Sequence, residues 1–214
     1  MLFIFDWDGT LIDSKAKITH SMQLAARDMG WQPLADTLIH NIIGLGLPEA
    51  IFRLYPTVSD AERAKLRDYY AAQFIRLDEE KSSEFFPLVP ETLEDLRFQG
   101  HTLTIATGKS RKGLDRILRD LKMSDYFDAT RCADETASKP HPLMLEELLA
   151  HFNVKAENAV MIGDTEYDME MAKCINMPRI AVSYGAHHID RLHPYEPELC
   201  LDQFDQLLTW HKIT

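Results

Sequence analysis

Asp6 and Asp8 stand one residue apart, directly after the apolar run Leu2-Phe3-Ile4-Phe5. Two neighbouring carboxylates at the mouth of a buried strand need a cation or a proton to balance them. As a plain Asp-x-Asp-Gly turn they would be solvated, and Ser14 would cap the next helix. A second pair, Asp164 and Asp168, also follows an apolar run, Ala159-Val160-Met161-Ile162-Gly163. Four residues apart, these two acids share one helix face at its first turn. Alone, they read as helix capping. Set beside the first pair, they make a hard-cation site, because Mg²⁺ takes a few carboxylate oxygens, a carbonyl and several waters in an octahedron. Thr107-Gly108 offers a hydroxyl and backbone amides to phosphate oxygens at a helix start. Lys139 would supply positive charge. Each of these last two also has an ordinary reading, a turn and a solvated lysine.

The elements that must position these residues follow from hydrophobic pattern. Short apolar runs at 2–5, 103–106, 159–162 and 180–182 each end in a polar or glycine-containing turn. Helical stretches lie between them at 90–99, 110–121, 142–152 and 166–175. Alternation of this kind predicts βαβ units and a doubly wound parallel sheet, an α/β fold whose ligands gather at the carboxyl ends of the strands. The segment 14–83 breaks the alternation and reads as helical throughout, with a Ser59-Asp60-Ala61-Glu62 capping box. The expected division is a core of 1–13 and 84–214 with an inserted all-helical cap of 14–83.

Lys and Arg total 23 against 34 Asp and Glu, a net charge of -11. That balance disfavours nucleic acid and anionic membrane as partners. The apolar start is too short for a signal core or a membrane span, so the expected location is cytoplasmic. Cys132, Cys174 and Cys200 are far apart and read as buried thiols in a reducing compartment.

Taken in order, the set hhhh-Asp6-x-Asp8-Gly9-Thr10, a strand ending in Thr107, Lys139-Pro140, and hhh-Gly163-Asp164-x-x-x-Asp168 resembles the four motifs of the haloacid dehalogenase superfamily. The helical insert is similar to the small cap of its phosphoglycolate phosphatase-like branch. The resemblance implies a Rossmann-like core and a Mg²⁺-dependent phosphatase acting on a small phosphorylated metabolite, as a monomer or homodimer. It makes Asp6 the nucleophile that forms an aspartyl-phosphate, and Asp8 the acid and then the base. Mg²⁺ would sit on the Asp6 carboxylate, the Asp8 carbonyl and Asp164, with Asp168 either on the ion or behind it. Lys139 would neutralise phosphate, and Thr107 with the amides of Trp7, Asp8 and Gly108, beside Gly9, would cradle it. Lys109 is expected to be solvated.

Because the dehalogenases lack an acid at the position of Asp8, phosphate chemistry is favoured over halide chemistry. Specificity is assigned to the Asn41 to Leu47 loop through Gly44 and Gly46, which let backbone approach a ligand. Arg53, His20 and Lys17 are candidates for a substrate carboxylate or second phosphate, although a solvated helix face explains each more simply. The flap 183–188 is expected to border the site, and its paired histidines lack a third ligand for zinc. Three alternatives stay open: β-phosphoglucomutase-like phosphoryl transfer, a pyrophosphatase, and a receiver-like phospho-aspartate switch.

Overall fold

The computed structural model describes residues 1–212. Six strands form one parallel sheet: β1 (Leu2–Phe5), β4 (Thr102–Thr107), β5 (Ala129–Cys132), β6 (Ala159–Gly163), β7 (Arg179–Val182) and β8 (Leu199–Leu201). Their order is β5-β4-β1-β6-β7-β8. The chain winds outward from β1 to β4 and β5, then returns across β1 to build β6, β7 and β8. Strand order therefore reverses between β1 and β6, the place where open parallel sheets bind ligands. Phe5 pairs in register with Ile105 of β4 and with Ile162 of β6, so the residues following these strands emerge side by side.

Alternation along the strands builds two cores. Phe3, Phe5, Ile105 and Ile162 bury against α5 (Val89–Phe98) and α6 (Arg111–Asp120) on one face. Leu2, Ile4, Ala106 and Met161 bury against α7 (Leu143–Phe152) and α8 (Glu166–Cys174) on the other. A sheet covered on both faces needs apolar side chains at successive positions, which is why β1 reads as an unbroken apolar run.

Four helices, α1 (Lys15–Asp28), α2 (Asp36–His40), α3 (Leu47–Leu54) and α4 (Asp60–Glu80), lie between the short strands β2 (Ile12–Asp13) and β3 (Glu84–Phe85). β2 and β3 pair antiparallel, Ile12 with Phe85 and Asp13 with Glu84, and so close the base of the helical insert. Ser59 and Glu62 form the reciprocal cap expected at the start of α4. Ser14 departs from expectation: it precedes α1 but makes no side-chain cap, and its hydroxyl donates to Asp8 instead.

Strands β2, β3, β5 and β8 add to the four read from sequence. The cysteine expectation is corrected: all three are free, but only Cys132 is buried, since Cys174 ends α8 and Cys200 lies on the edge strand β8. Among the described residues no helix is long and apolar enough to cross a membrane.

Candidate active site

Asp6 follows β1, Asp164 follows β6 and Asp168 lies in the first turn of α8. Lys139, from the loop between β5 and α7, joins two of them. Its Nζ donates to Asp6 Oδ1 and to Asp168 Oδ1, both at 2.6 Å. All three side chains are at most 1% exposed. The second oxygen of Asp168 accepts from the Thr165 hydroxyl at 2.6 Å and the Thr165 amide at 3.1 Å, the reciprocal cap of α8. Asp164 accepts from the Thr10 hydroxyl at 3.0 Å and the Ala186 amide at 2.7 Å.

Glycines make room for Asp164. A Cβ on Gly9, whose φ is +83°, would lie 2.2 Å from an Asp164 oxygen, and one on Gly185 would lie 2.2 Å from its Cβ. Gly9 is therefore a wall of the Asp164 cradle, and the flap reaches the same cradle through Gly185 and Ala186.

The Asp6, Asp164 and Asp168 carboxylates each offer an oxygen within 4.8 Å of the others. Three buried carboxylates against the one ammonium of Lys139 leave two excess negative charges when all are ionised. Burial raises the Asp6 pKa well above the carboxylate range; Lys139 opposes that shift, and Asp168 and Asp164 reinforce it. Burial, with Asp168 beside it, pushes Asp164 up to about 7. At Lys139 burial works against the charge, but Asp168 and Asp6 outweigh it and raise the ammonium's pKa. Asp6 Oδ2 is buried and has no hydrogen-bond partner. Three convergent carboxylates with surplus negative charge fit a hard divalent cation such as Mg²⁺.

Asp8 stands apart from this cluster. Its Oδ1 accepts from the Ser14 hydroxyl at 2.6 Å and lies 3.0 Å from Lys109 Nζ. Asp8 is not one of the acids whose oxygens lie within 4.8 Å of one another. Lys109 is not solvated as expected: it is 12% exposed, with its ammonium 4.6 Å from the ring centre of Phe74 in α4. The Thr107 hydroxyl is fully buried and accepts the Lys109 amide at 3.2 Å. Trp7 is buried with its ring edge-on to Phe85 and Phe127, packing beside the loop as its apolar character suggests.

The 41–47 loop is docked on the core. The Asn41 carbonyl accepts from the Tyr167 hydroxyl at 2.7 Å, and the Gly46 amide donates to the Ser138 hydroxyl at 2.8 Å, next to Lys139. A Cβ on Gly44 would lie 2.9 Å from the Thr165 hydroxyl, and one on Gly108 would lie 2.5 Å from the Leu45 carbonyl. Gly46 thus serves docking, whereas Gly44 and Gly108 also line the cavity described below.

All three proposed cationic contacts fall outside the cavity lining. Arg53 pairs with Glu49 at 2.8 Å and rests on the Tyr167 ring, outside the cavity lining, because α3 turns that face toward α8. Lys17 pairs with Asp78, and His20 is exposed. His187 Nδ1 accepts the Glu166 amide at 3.2 Å, and His188 caps a turn, so the histidine pair is structural.

A cavity of about 810 Å³ opens between the helical insert and the sheet ends, with Asp6, Asp8, Gly108 and Lys109 at one end. Reasoning from sequence missed the Lys109, Ser14 and Thr10 contacts. Thr10 and Ser14 lay within the acidic motif itself, whereas nothing local distinguishes Lys109 from a surface lysine.

Residues 3–182 match the model of a family described as haloacid dehalogenase-like hydrolase. The chain belongs to that family. A Dickeya dadantii protein named "Probable phosphatase IndB" is 34% identical over 97% of this chain and 91% of its own length. A phosphoglycolate phosphatase of Vibrio vulnificus is 29% identical over 97% of this chain and 94% of its own. The crystal structure of a Pseudomonas syringae hydrolase shares the fold with a TM-score of 0.89 at 24% identity, covering 100% of this chain and 99% of that one. In enzyme class the family member described here is a phosphatase-type hydrolase.

Proposed function

We propose that this hydrolase cleaves small phosphate monoesters, in the manner of a phosphoglycolate phosphatase, through an aspartyl-phosphate on Asp6. The observation that carries the reading is Asp6 Oδ2, buried and unpaired at the end of the cavity, while Lys139 fixes its sister oxygen at 2.6 Å. An oxygen held in this way is oriented before substrate arrives.

Asp6 Oδ2 attacks phosphorus, the ester oxygen leaves, and Asp8 gives that oxygen its proton. Water then attacks the same phosphorus, Asp8 takes the water's proton, and cleavage of the Asp6 oxygen to phosphorus bond releases inorganic phosphate. Ser14 and Lys109, both on Asp8 Oδ1, leave Oδ2 to face the ester. Lys139, Thr107 and the amides of Trp7, Asp8 and Gly108 hold the phosphate oxygens. Asp6, the Asp8 carbonyl, Asp164 and the adjoining Asp168 would hold Mg²⁺, which offsets charge on the transferring phosphoryl group.

Residues 14–83 act as a cap on the core of 1–13 and 84–214, excluding water when closed and releasing product when open. Closure is supported by the docked 41–47 loop and by Asp78 of α4, which lies 2.8 Å from Arg116 of α6. The substrate class is a small phosphorylated metabolite of the cytoplasm. The test is phosphate release from a panel of small esters with Mg²⁺, with chelator, and with Asp6→Asn. Release should vanish with chelator and with the substitution; equal release in all three conditions would refute the reading.

A further inference from the structure

The cavity that receives the phosphate at Asp6 and Asp8 is far larger than a phosphate with a two-carbon acid attached. Its volume of about 810 Å³ falls in the upper part of the range of about 300–1,000 Å³ that holds drug-sized ligands. The wall contributed by the helical insert is apolar: Ile18 and Met22 from α1, Ile42 and Ile43 from the docked loop, and Phe74 and Ile75 from α4. Tyr70 extends this wall toward Asp8, whose charge, after burial, helps to raise the phenol's pKa.

Cations in the same cavity are already engaged. Lys109 pairs with Asp8, Arg111 with Glu135 at 2.8 Å, and Arg116 with Asp78. Lys112 and Arg119 stand exposed at the mouth. Along the wall of Ile18, Met22, Ile42, Ile43 and Phe74 a carboxylate on the substrate's organic part would meet hydrocarbon instead of a cation. An apolar or aromatic group would bury its surface there.

We infer that the preferred substrates are phosphate monoesters of an apolar, ring-bearing alcohol, held by the Ile42, Met22 and Phe74 wall, instead of esters of a small hydroxy acid. This inference rests on the phosphatase reading above and narrows its substrate class. Ile75, 37% exposed at the open end of the wall, marks where a longer group would leave the chamber.

The experiment compares kcat/KM for naphthyl phosphate, phenyl phosphate and phosphoglycolate in the intact Mg²⁺-loaded protein. It adds calorimetric binding of naphthyl phosphate and phosphoglycolate to Asp6→Asn. Naphthyl phosphate should lead phosphoglycolate by about tenfold or more in kcat/KM and bind the variant more tightly, the selectivity a few buried carbons can supply. Phe74→Ala should lower the naphthyl to phosphoglycolate ratio about tenfold, chiefly through KM. Ile75→Gln, at a position already 37% exposed, should lower the same ratio in the same direction. A lead for phosphoglycolate, or an unchanged ratio in both folded variants, would overturn the inference while leaving the phosphatase reading intact. Release from none of the three esters would instead overturn both.

Discussion

Lys139 and Asp6, 133 residues apart in sequence, meet at 2.6 Å with both side chains at most 1% exposed. Asp6 follows β1, whereas Lys139 comes from the loop after β5, two strands away in the sheet, so that loop spans the end of β4 to make the contact. A buried ammonium between Asp6 and Asp168 also gives Lys139 two tasks. It offsets acidic charge in the resting protein, and in the proposed reaction it fixes the attacking carboxylate.

Replacing Lys139 should therefore cost both stability and catalysis. Lys139→Met leaves two buried carboxylates without their cation and should destabilise the protein by about 3–5 kcal/mol. Denaturant unfolding would measure this. The double variant with Asp168→Asn should regain part of the loss, since one of the two repelling carboxylates is gone. A Lys139→Met protein as stable as the parent would contradict the placement.

The glycines around Asp164 give a second test. Gly9→Ala should reduce Mg²⁺ affinity by about tenfold or more, because the added Cβ collides with an Asp164 oxygen that is 2.2 Å away. Gly30→Ala is the matched control, with a φ of +75° and nothing within 4 Å. Both carry the same backbone strain. Calorimetric titration with Mg²⁺ should separate them, and equal affinities would show that the cradle does not hold the ion.

The four apolar runs, the four helices between them and the helical character of 14–83 were legible in the sequence because each carries a strong periodic or continuous signal. β5 was not, since Ala129-Thr130-Arg131-Cys132 is a half-polar edge strand whose only warrant is pairing with β4. β8, three residues at the other edge, is hidden for the same reason. At the site, the four motifs were visible as residue types, but the partners of Asp8 were not. The capping role predicted for Ser14 failed because its backbone, at φ -117° and ψ -3°, is outside the extended region that an N-cap residue adopts, and its hydroxyl is turned to Asp8. The solvated reading of Lys109 failed because Phe74, from the distant helix α4, covers it.

Stability should fall with acid partly through His187. Burial, with Arg191 nearby, lowers its pKa from 6.5 to about 4. The folded state resists protonation that the unfolded chain accepts, so this contribution is whole above pH 6.5 and is lost as pH falls toward 4. His187→Gln keeps an acceptor for the Glu166 amide and removes the titration. The melting temperature of the parent should drop more steeply between these pH values than that of the variant; parallel curves would contradict the burial of a neutral imidazole.

Exchange of residues 41–47 for another sequence of equal length should change which ester is preferred and leave Mg²⁺ affinity nearly unchanged. The loop contributes Ile42, Ile43 and Gly44 to the cavity but no carboxylate to the acidic cluster. Kinetics on an ester panel and Mg²⁺ titration read the two effects separately. Loss of metal binding would show that the loop supports the acidic cluster and does not act as a specificity element.

The central claim is that Asp6 carries the phosphoryl group during turnover. Borohydride added to the working enzyme with Mg²⁺ and a phosphate ester reduces an acyl phosphate to an alcohol, converting the aspartate that bore it to homoserine. Peptide mass mapping should find homoserine at position 6, and only when ester is present. Homoserine at any other aspartate, or at none while phosphate is being released, would contradict the account.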